Sequence, residues 1–509
     1  MNDVLYTGPK LQQELFSILL RFRCHRFVFI ADIIKMYRQI LVTDKHQDFQ
    51  RILWRDSPNE NIKCYKLTTV TYGTSCAPYL AIRCLNKLAE DGDVTHPQAA
   101  KIILSDCYVD DVITGADTID ECAALQKELI NLLQTGGFKL HKWSSNCSKL
   151  LESIPSADRE LKNLSFTDEQ GTIKALGLLW NPFRDTFQFS APNSLQSPYT
   201  KRSILSSIAK IFDPLGLLAP VVLKAKLIIQ ELWKNKLDWD DTLPLDIQNR
   251  WKSFLNQFQL LTTITVPRCL FSTANISSIQ YHGFADASML AYGACIFVRV
   301  TYTDGSVSVR LFCAKSKVAP VKNVTLPRLE LCAALLLSRL YKHVIGMVDL
   351  AVTDTYLWSD STIVLSWLRT DPNRLRMFVS NRVAEIQDST NGTLWRHVPS
   401  EYNPADIISR GSTAAELKNS DLWWNGPDWL ALNNSHWPCT IPSIKAEIPE
   451  QRVLLAKRNT DYDFKTIYNK ISSFTKLVRV IAYCLRISPK HRQKLNWGSQ
   501  NTISTTELH

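Results

Sequence analysis

The first strong hydrophobic feature of the chain is a short uninterrupted apolar run, residues 27–31, that ends in Asp32. Such a run predicts a strand covered on both faces that delivers one carboxylate at its end. Two further apolar runs, residues 102–104 and 107–109, precede Asp110-Asp111, and Val112-Ile113 follows. This pattern predicts a hairpin with both Asp at its turn. Residues 120–133 carry helical spacing, and residues 151–192 are polar before tightening into the strand-like LGLLW at 176–180. Residues 198–265 read as helices: SILSSIAKIF, then VVLKAKLIIQELWKNKL after Asp213-Pro214, then IQNRWKSFLNQF. Over 278–412 strands and helices alternate, with a hairpin pattern in AYGACIFVRV, a helix in LELCAALLLSRL and strands at 356–358 and 394–398. A Trp- and Pro-rich stretch and a basic tail follow Gly411, and no internal repeat or low-complexity block interrupts the chain. The expected fold class is α/β and α+β, in several domains.

Composition narrows this. At roughly 150 residues per domain, 509 residues suggest about three domains. The 45% hydrophobic and 21% charged content excludes bulk disorder. Residues 451–509 hold eleven Lys/Arg against three Asp/Glu, so this tail supplies +8 of the net +11 and favours a polyanionic partner. None of the thirteen cysteines forms a Cys-x-x-Cys pair, and His436 and Cys439 have no second pair nearby, so structural zinc is not expected. The cysteines read as small core residues of a reduced, cytoplasmic protein. The amino terminus lacks a signal-peptide pattern, and Lys224 and Lys226 interrupt the most apolar stretch, so no membrane span is expected.

Candidate chemistry begins with Asp32, Asp110 and Asp111. Turn chemistry accounts for an isolated Asp-Asp pair. Three carboxylates converging from separate strands repel one another unless divalent cations bind, and an oxygen-rich set suits Mg²⁺ in two-metal phosphoryl transfer. Tyr108-Val109-Asp110-Asp111 resembles the catalytic tetrapeptide of reverse transcriptases, and FIADIIKMYRQI (residues 29–40) resembles their first catalytic strand. Tyr72-Gly73, with Pro78 five residues after the glycine, is similar to the motif lining the nucleotide pocket. GFKLHK, ending in Lys142, resembles the next palm motif, and Leu176-Gly177 the primer grip. Tyr37 falls where that family places the side chain excluding a ribose 2′-hydroxyl. VTYGTSCAPYLAIRCLNKLA and GGFKLHKWSSN resemble the BEL/Pao group of long-terminal-repeat retrotransposons in particular.

A second acidic set follows. Asp286 stands in FADAS; Glu330 follows Pro327 in what reads as a first helical turn; Asp360 ends a strand and opens a helix; Asp406 lies in NPADIISRG near a helix start. Taken singly, helix capping explains Asp360 and Asp406. Taken together, Asp286, Glu330, Asp360 and Asp406 resemble the four-carboxylate site of the ribonuclease H fold, which implies two Mg²⁺ or Mn²⁺ and hydrolysis of the RNA strand of a hybrid. His397 is either a structural histidine or an aid to product release.

The resemblance implies a reverse-transcriptase palm over 1–192, a helical thumb and connection over 193–275, a ribonuclease H-like domain over 276–415 and a tail, 416–509, leading towards an integrase. Its partners would be an RNA template, a DNA primer, RNA–DNA hybrid, deoxynucleoside triphosphates and other Pol polyprotein segments, with no membrane, in cytoplasm or virus-like particles. Lys201, Arg202, Lys210, Lys224 and Lys226 are candidates for template–primer phosphates. About thirty residues precede Asp32, too few for a fingers subdomain. A truncated polymerase, or a nucleic-acid-binding remnant that cannot polymerise, is therefore an alternative. An aspartic peptidase, a label sometimes given to this region, needs an Asp-Thr-Gly or Asp-Ser-Gly turn, and the chain contains neither tripeptide.

Overall fold

The computed structural model describes residues 2–160, 171–190, 199–272, 275–438, 448–451, 471 and 473–487. Met1–Arg452 is one compact unit and Val453–His509 a second.

In the first unit, strand β1 (Phe27–Ile33) lies inside a four-stranded sheet, and β2 (Arg51–Trp54) and β3 (Lys63–Lys66) form a separate, exposed two-stranded ribbon. The sheet is completed by β4 (Cys107–Tyr108), β5 (Asp111–Ala116) and β6 (Leu140–Ser145), in the order β4-β5-β1-β6. An interior strand is covered on both faces, which is why β1 is apolar without alternation. Its Phe29 and Ala31 join Leu85 of the helix Ala77–Gly92, Leu129 of the helix Ile119–Thr135 and Trp143 of β6 in one core. The predicted apolar run 102–104 is the end of a helix, Pro97–Ser105, rather than a strand. Its buried positions, Ala99, Ala100, Ile102 and Ile103, keep helical spacing, which three residues viewed alone conceal.

A second sheet, β10-β9-β8-β7, joins β7 (Ile173–Ala175), β8 (Leu178–Asn181), β9 (Thr186–Gln188) and β10 (Thr265–Pro267). Leu176 and Gly177 are therefore not strand but the two-residue turn between β7 and β8. Both have positive φ, 49° and 87°, as the tightest hairpin turns require. The predicted helices over 198–265 are Lys201–Ala209, Ala219–Lys234, Leu245–Asn256 and Phe258–Leu261.

The largest sheet holds β11 (Ile276–Ala287), β12 (Ala291–Tyr302), β13 (Val307–Val318), β14 (Val352–Ser359) and β15 (Leu394–His397). Its order is β13-β12-β11-β14-β15; the first three strands are antiparallel, and β14 and β15 run parallel to β11. AYGACIFVRV is thus one long strand and not a complete hairpin. Helix Leu326–Met347 packs its Leu337 over Gly283, where an added Cβ would meet that side chain at 2.7 Å. Helix Pro404–Arg410 packs Ile408 over Gly293. These two glycines show that helices cover both faces of the sheet.

One apolar core runs from Phe22 through Trp180 and Val221 to Phe284 and Leu337, so the second and third sheets share an interior. Two buried arginines stitch it. Arg23 donates to the carbonyls of Leu311 (2.8 Å) and Phe312 (2.6 Å), and burial pulls its pKa down to about 10. Arg268, with no exposed side chain, pairs with Asp185 at 2.6 Å and donates to the carbonyls of Phe22, His25 and Arg26.

In the second unit, the predicted amphipathic helix is Phe474–Ile487, with Val480, Ile481 and Tyr483 exposed. The predicted basic loop, residues 488–494, lies outside the described residues. No helix among the described residues is long and apolar enough to cross a membrane. Cys24, Cys122, Cys295 and Cys313 are buried and unbridged.

Candidate active sites

The first carboxylate set forms at one end of the two inner strands of the four-stranded sheet. Antiparallel pairing of β1 with β5 puts Asp32 directly opposite Asp111. Asp110 sits in the β4–β5 turn after Val109, which has a positive φ of 58°. The Asp110 carbonyl accepts from the Ile33 amide at 2.8 Å, so all three aspartates gather at one strand end. Like charges directly opposed across a sheet are destabilising. Burial first, and then the neighbouring carboxylates, push the Asp111 pKa up to about 6; burial also raises that of Asp110.

A bulge answers part of this repulsion. The β1–β6 register shifts between Ile30 and Asp32, and Lys142 adopts φ 52°. In a regular strand consecutive side chains point to opposite faces; a bulge with a left-handed residue re-aims one of them. His141 Nε2 and Lys142 Nζ consequently both meet the Asp32 carboxylate, each at 2.8 Å. The hydrogen bond to Asp32 raises the Lys142 pKa and keeps the ammonium charged. The sequence motif pointed to Lys142 but gave no sign of His141, whose contact depends on the bulge.

Around this set, Tyr37 and Tyr72 bring their rings to 4.8 Å. The Tyr37 hydroxyl is raised in pKa by burial and then by Asp110, placing that ring beside the carboxylates. Gly73 turns with φ 84° and has nothing within 4 Å of an added Cβ, leaving open space beside the tyrosines. Pro78 occupies the first turn of helix Ala77–Gly92, where its missing N–H costs nothing. Leu176 and Gly177 form their turn on the second sheet, with the Phe212 ring against Gly177.

The second set forms at the carboxyl end of β11 and β14. Asp286 is the penultimate residue of β11, and Asp360 follows the last residue of β14. Glu330 comes from helix Leu326–Met347, in its second turn rather than its first, because Pro327 lies inside a helix that starts at Leu326. Capping does not explain Asp360 or Asp406. Ser361 caps helix Thr362–Leu368 by accepting from the Val364 amide, and Asn403 caps Pro404–Arg410 by accepting from the Ala405 amide. Adjacent residues do the capping, which leaves both carboxylates for other work.

Each of the four has a side-chain donor of its own. Ser409 Oγ donates to Asp286, Ser361 Oγ to Glu330, and Ser400 Oγ to Asp360 at 2.8 Å; Arg410 pairs with Asp406 at 2.7 Å. Burial, then the Asp360 charge, lifts the Asp286 pKa to about 7. Burial raises Glu330 and Asp406 too, and Asp360 adds to both. Asp360 is thus the electrostatic centre of the set. Crowded carboxylates with raised pKa values are a donor set suited to hard divalent cations. As the side chains stand, no group of three or more His, Cys, Asp and Glu among the described residues is gathered tightly enough to hold one ion. His397 ends β15 beside Ser359, the residue before Asp360.

Of the candidate phosphate-binding cations, Lys201 is unavailable. It is buried, with Nζ 3.4 Å from the Trp233 ring centroid and donating to the Leu237 carbonyl at 3.0 Å. Arg202 is engaged by Asp240 through two bonds, while Lys226 is partly buried beside Ser316. The motif-level reading missed the three serines, since each lies 31 to 123 residues from its carboxylate.

Residues 200–361 match the family model described as Pao retrotransposon-like RNaseH-like domain. The matched segment contains Asp286, Glu330 and Asp360 and stops before Asp406. No curated protein matches the chain. Among solved structures, the chain is similar to a foamy viral protease-reverse transcriptase in complex with RNA/DNA hybrid, at 13% identity and a TM-score of 0.47, covering 78% of this chain and 47% of that one. It is similar also to the foamy viral protease-reverse transcriptase dRH in complex with ds DNA, at 14% identity and a TM-score of 0.49, covering 78% of this chain and 61% of that one. The chain thus spans about half to three fifths of the length of these two proteins. The resemblance to the Pao group, read from the motifs, is borne out by this match to residues 200–361.

Proposed function

We propose that this chain is the reverse transcriptase and ribonuclease H portion of a BEL/Pao-type retrotransposon polyprotein, and that its best-supported activity is hydrolysis of the RNA strand of an RNA–DNA hybrid. The observation carrying this is the convergence of Asp286, Glu330, Asp360 and Asp406 at one end of a β13-β12-β11-β14-β15 sheet, each with its own side-chain donor. Asp286, Glu330, Asp360 and Asp406 would hold two Mg²⁺ or Mn²⁺. Bound there, these ions supply an activated water and charge compensation at the leaving 3′-oxygen. The chain's own part is positional: Ser409, Ser361 and Ser400 fix carboxylate orientation, and the raised pKa of Asp286 marks a site that favours an added positive charge. Water adds across the P–O bond, leaving a 5′-phosphate and a 3′-hydroxyl.

In the same reading, Asp32, Asp110 and Asp111 form a palm-type nucleotidyl-transfer site, with Tyr37 policing the sugar and Tyr72, Gly73, Pro78 and Lys142 lining the nucleotide side. Leu176-Gly177 would seat the primer end, and the helices over 201–261 would serve as thumb and connection. The pairing of Asp32 with Asp111 supports this part. The test of the main reading is direct. The full chain with Mg²⁺ or Mn²⁺ is expected to cut the RNA strand of a labelled hybrid, and Asp286→Asn or Glu330→Gln to abolish cutting. Equal cutting by wild type and Asp286→Asn would sink the assignment.

A further inference from the structure

Two sheets end against one cleft. β10 is the last strand of the second sheet and β13 the last strand of the largest one. Thr265 and Pro267 of β10, with residues 307–311 of β13, line a cleft of about 770 Å³. It lies far from the second carboxylate set. Ser316 of β13 is level with Asp286 through Gly293, and residues 307–311 stand five to nine positions farther along the strand, roughly 17–30 Å at about 3.4 Å per residue. Gly426 packs beside Val309 in the same lining.

Register decides which main-chain groups face this cleft. Along an antiparallel strand, residues alternate between bonding the partner and turning both groups away from it. The Tyr302 amide donates to the Ser306 carbonyl at 2.9 Å, so Ser308 and Arg310 bond β12 while Val307 and Val309 turn outward. The Arg268 amide donates to the Asp185 carbonyl at 2.9 Å, so Val266 bonds β9 while Thr265 and Pro267 turn outward. At one end Arg23 bridges the two edges, donating to the carbonyls of Pro267 at 3.4 Å and Leu311 at 2.8 Å. The outward N–H and C=O of Thr265, Val307 and Val309 have no hydrogen-bond partner among the described residues. Alternating donors and acceptors on a free strand edge are a template for another polypeptide main chain. A nucleic-acid backbone offers phosphate acceptors but no N–H for the three carbonyls. Charge then selects among peptides. Arg310 is half-buried in the lining and has no carboxylate partner among the described residues, and exposed Lys418 is held only by the Thr263 hydroxyl at 3.1 Å. Asp428 is the only carboxylate of the lining.

We propose that this cleft binds an extended, acidic segment of a separate polypeptide, which adds as a strand between β10 and β13 and sets a carboxylate against Arg310. The test is fluorescence anisotropy with the full chain and two labelled octapeptides, one alternating Glu and Val, the other Lys and Val. The Glu peptide should bind and the Lys peptide should not. Arg310→Glu removes a charge-assisted contact, so it should weaken the Glu peptide roughly ten- to a hundredfold and admit the Lys peptide. Val307→Pro deletes one outward N–H at the first residue of an edge strand, where Pro is tolerated, and should weaken binding roughly two- to tenfold. N-methylation of every second peptide amide should abolish binding. Both variants should unfold at the wild-type temperature; if Val307→Pro does not, the N-methylated peptide decides the main-chain part. Binding of neither peptide, equal binding of both, or undiminished binding of the N-methylated one would overturn the proposal. So would Arg310-dependent competition by an oligothymidylate, or a self-associated chain that Arg310→Glu returns to monomer, because each assigns the cleft a different occupant.

Discussion

Asp286→Asn should stabilise the metal-free protein at neutral and alkaline pH. Asp286 is only 6% exposed, and burial with the Asp360 charge lifts its pKa from 3.8 to about 7. A carboxyl whose folded pKa exceeds its unfolded value contributes stability that is complete below the unfolded value and lost as pH rises through the folded one. Here that loss falls between about pH 4 and pH 7. Three decades at about 1.36 kcal/mol each give on the order of 4 kcal/mol as an upper bound, and coupling to Asp360 and Asp406 shares part of it, so about 2–4 kcal/mol is expected. Asparagine keeps an oxygen for the Ser409 hydroxyl but never carries the charge. At about 2.1 cal/mol/K per residue, cooperative unfolding of the Met1–Arg452 unit converts this into a Tm gain of about 2–4 °C. Thermal unfolding of wild type and Asp286→Asn in EDTA, from pH 4 to pH 8, reads it. The gain should vanish near pH 4 and level off above pH 7. A variant no more stable than wild type at pH 8, with activity abolished, would refute the electrostatic account of this site.

Two further outcomes follow from named contacts. Ser409→Ala removes the donor that holds the Asp286 pKa down, so the acid limb of the pH profile for hybrid cleavage should move upward by about one to two pH units, given roughly 1.5–3 kcal/mol for a hydrogen bond to a charged group; an unmoved limb would show that the hydroxyl does not act on Asp286. Arg268→Ala leaves Asp185 and three backbone carbonyls without their buried partner, and urea unfolding should show a loss of about 3–5 kcal/mol.

The acidic residues were legible because apolar runs of strand length ended in them, and strand ends are where the sheets deliver Asp32, Asp111, Asp286 and Asp360. The mixed architecture was legible for the same reason. Helix ends were harder. The pattern put Asp360 and Asp406 near helix starts, but Ser361 and Asn403 stood within three residues and took the caps, a competition that propensity does not decide. Three residues, 102–104, could not report whether they belonged to a strand or to the end of Pro97–Ser105. Lys201 looked like a solvated cation and proved to be a buried one, because its cage comes from Trp233 and Trp239, more than thirty residues away. The bulge that turns His141 and Lys142 onto one carboxylate has no signature in composition or period.

Both carboxylate sets face the same electrostatic problem and meet it differently. At Asp32 the protein supplies the Lys142 ammonium and a hydrogen bond with the His141 ring, each at 2.8 Å, so part of the charge is already compensated before any ion arrives. At Asp286, Glu330 and Asp360 the side-chain partners are hydroxyls, which orient a carboxylate without neutralising it, and Arg410 compensates Asp406 alone. The second set therefore lowers its charge by holding a proton, which is what a pKa of about 7 at Asp286 expresses. A divalent cation entering the first set must compete with an ammonium on a bulged strand. One entering the second set must displace a proton, so its affinity there rises steeply with pH through neutrality. The serines then have a reason to be neutral: a lysine in their place would hold the carboxylates as well, and would also compete for them against the ion.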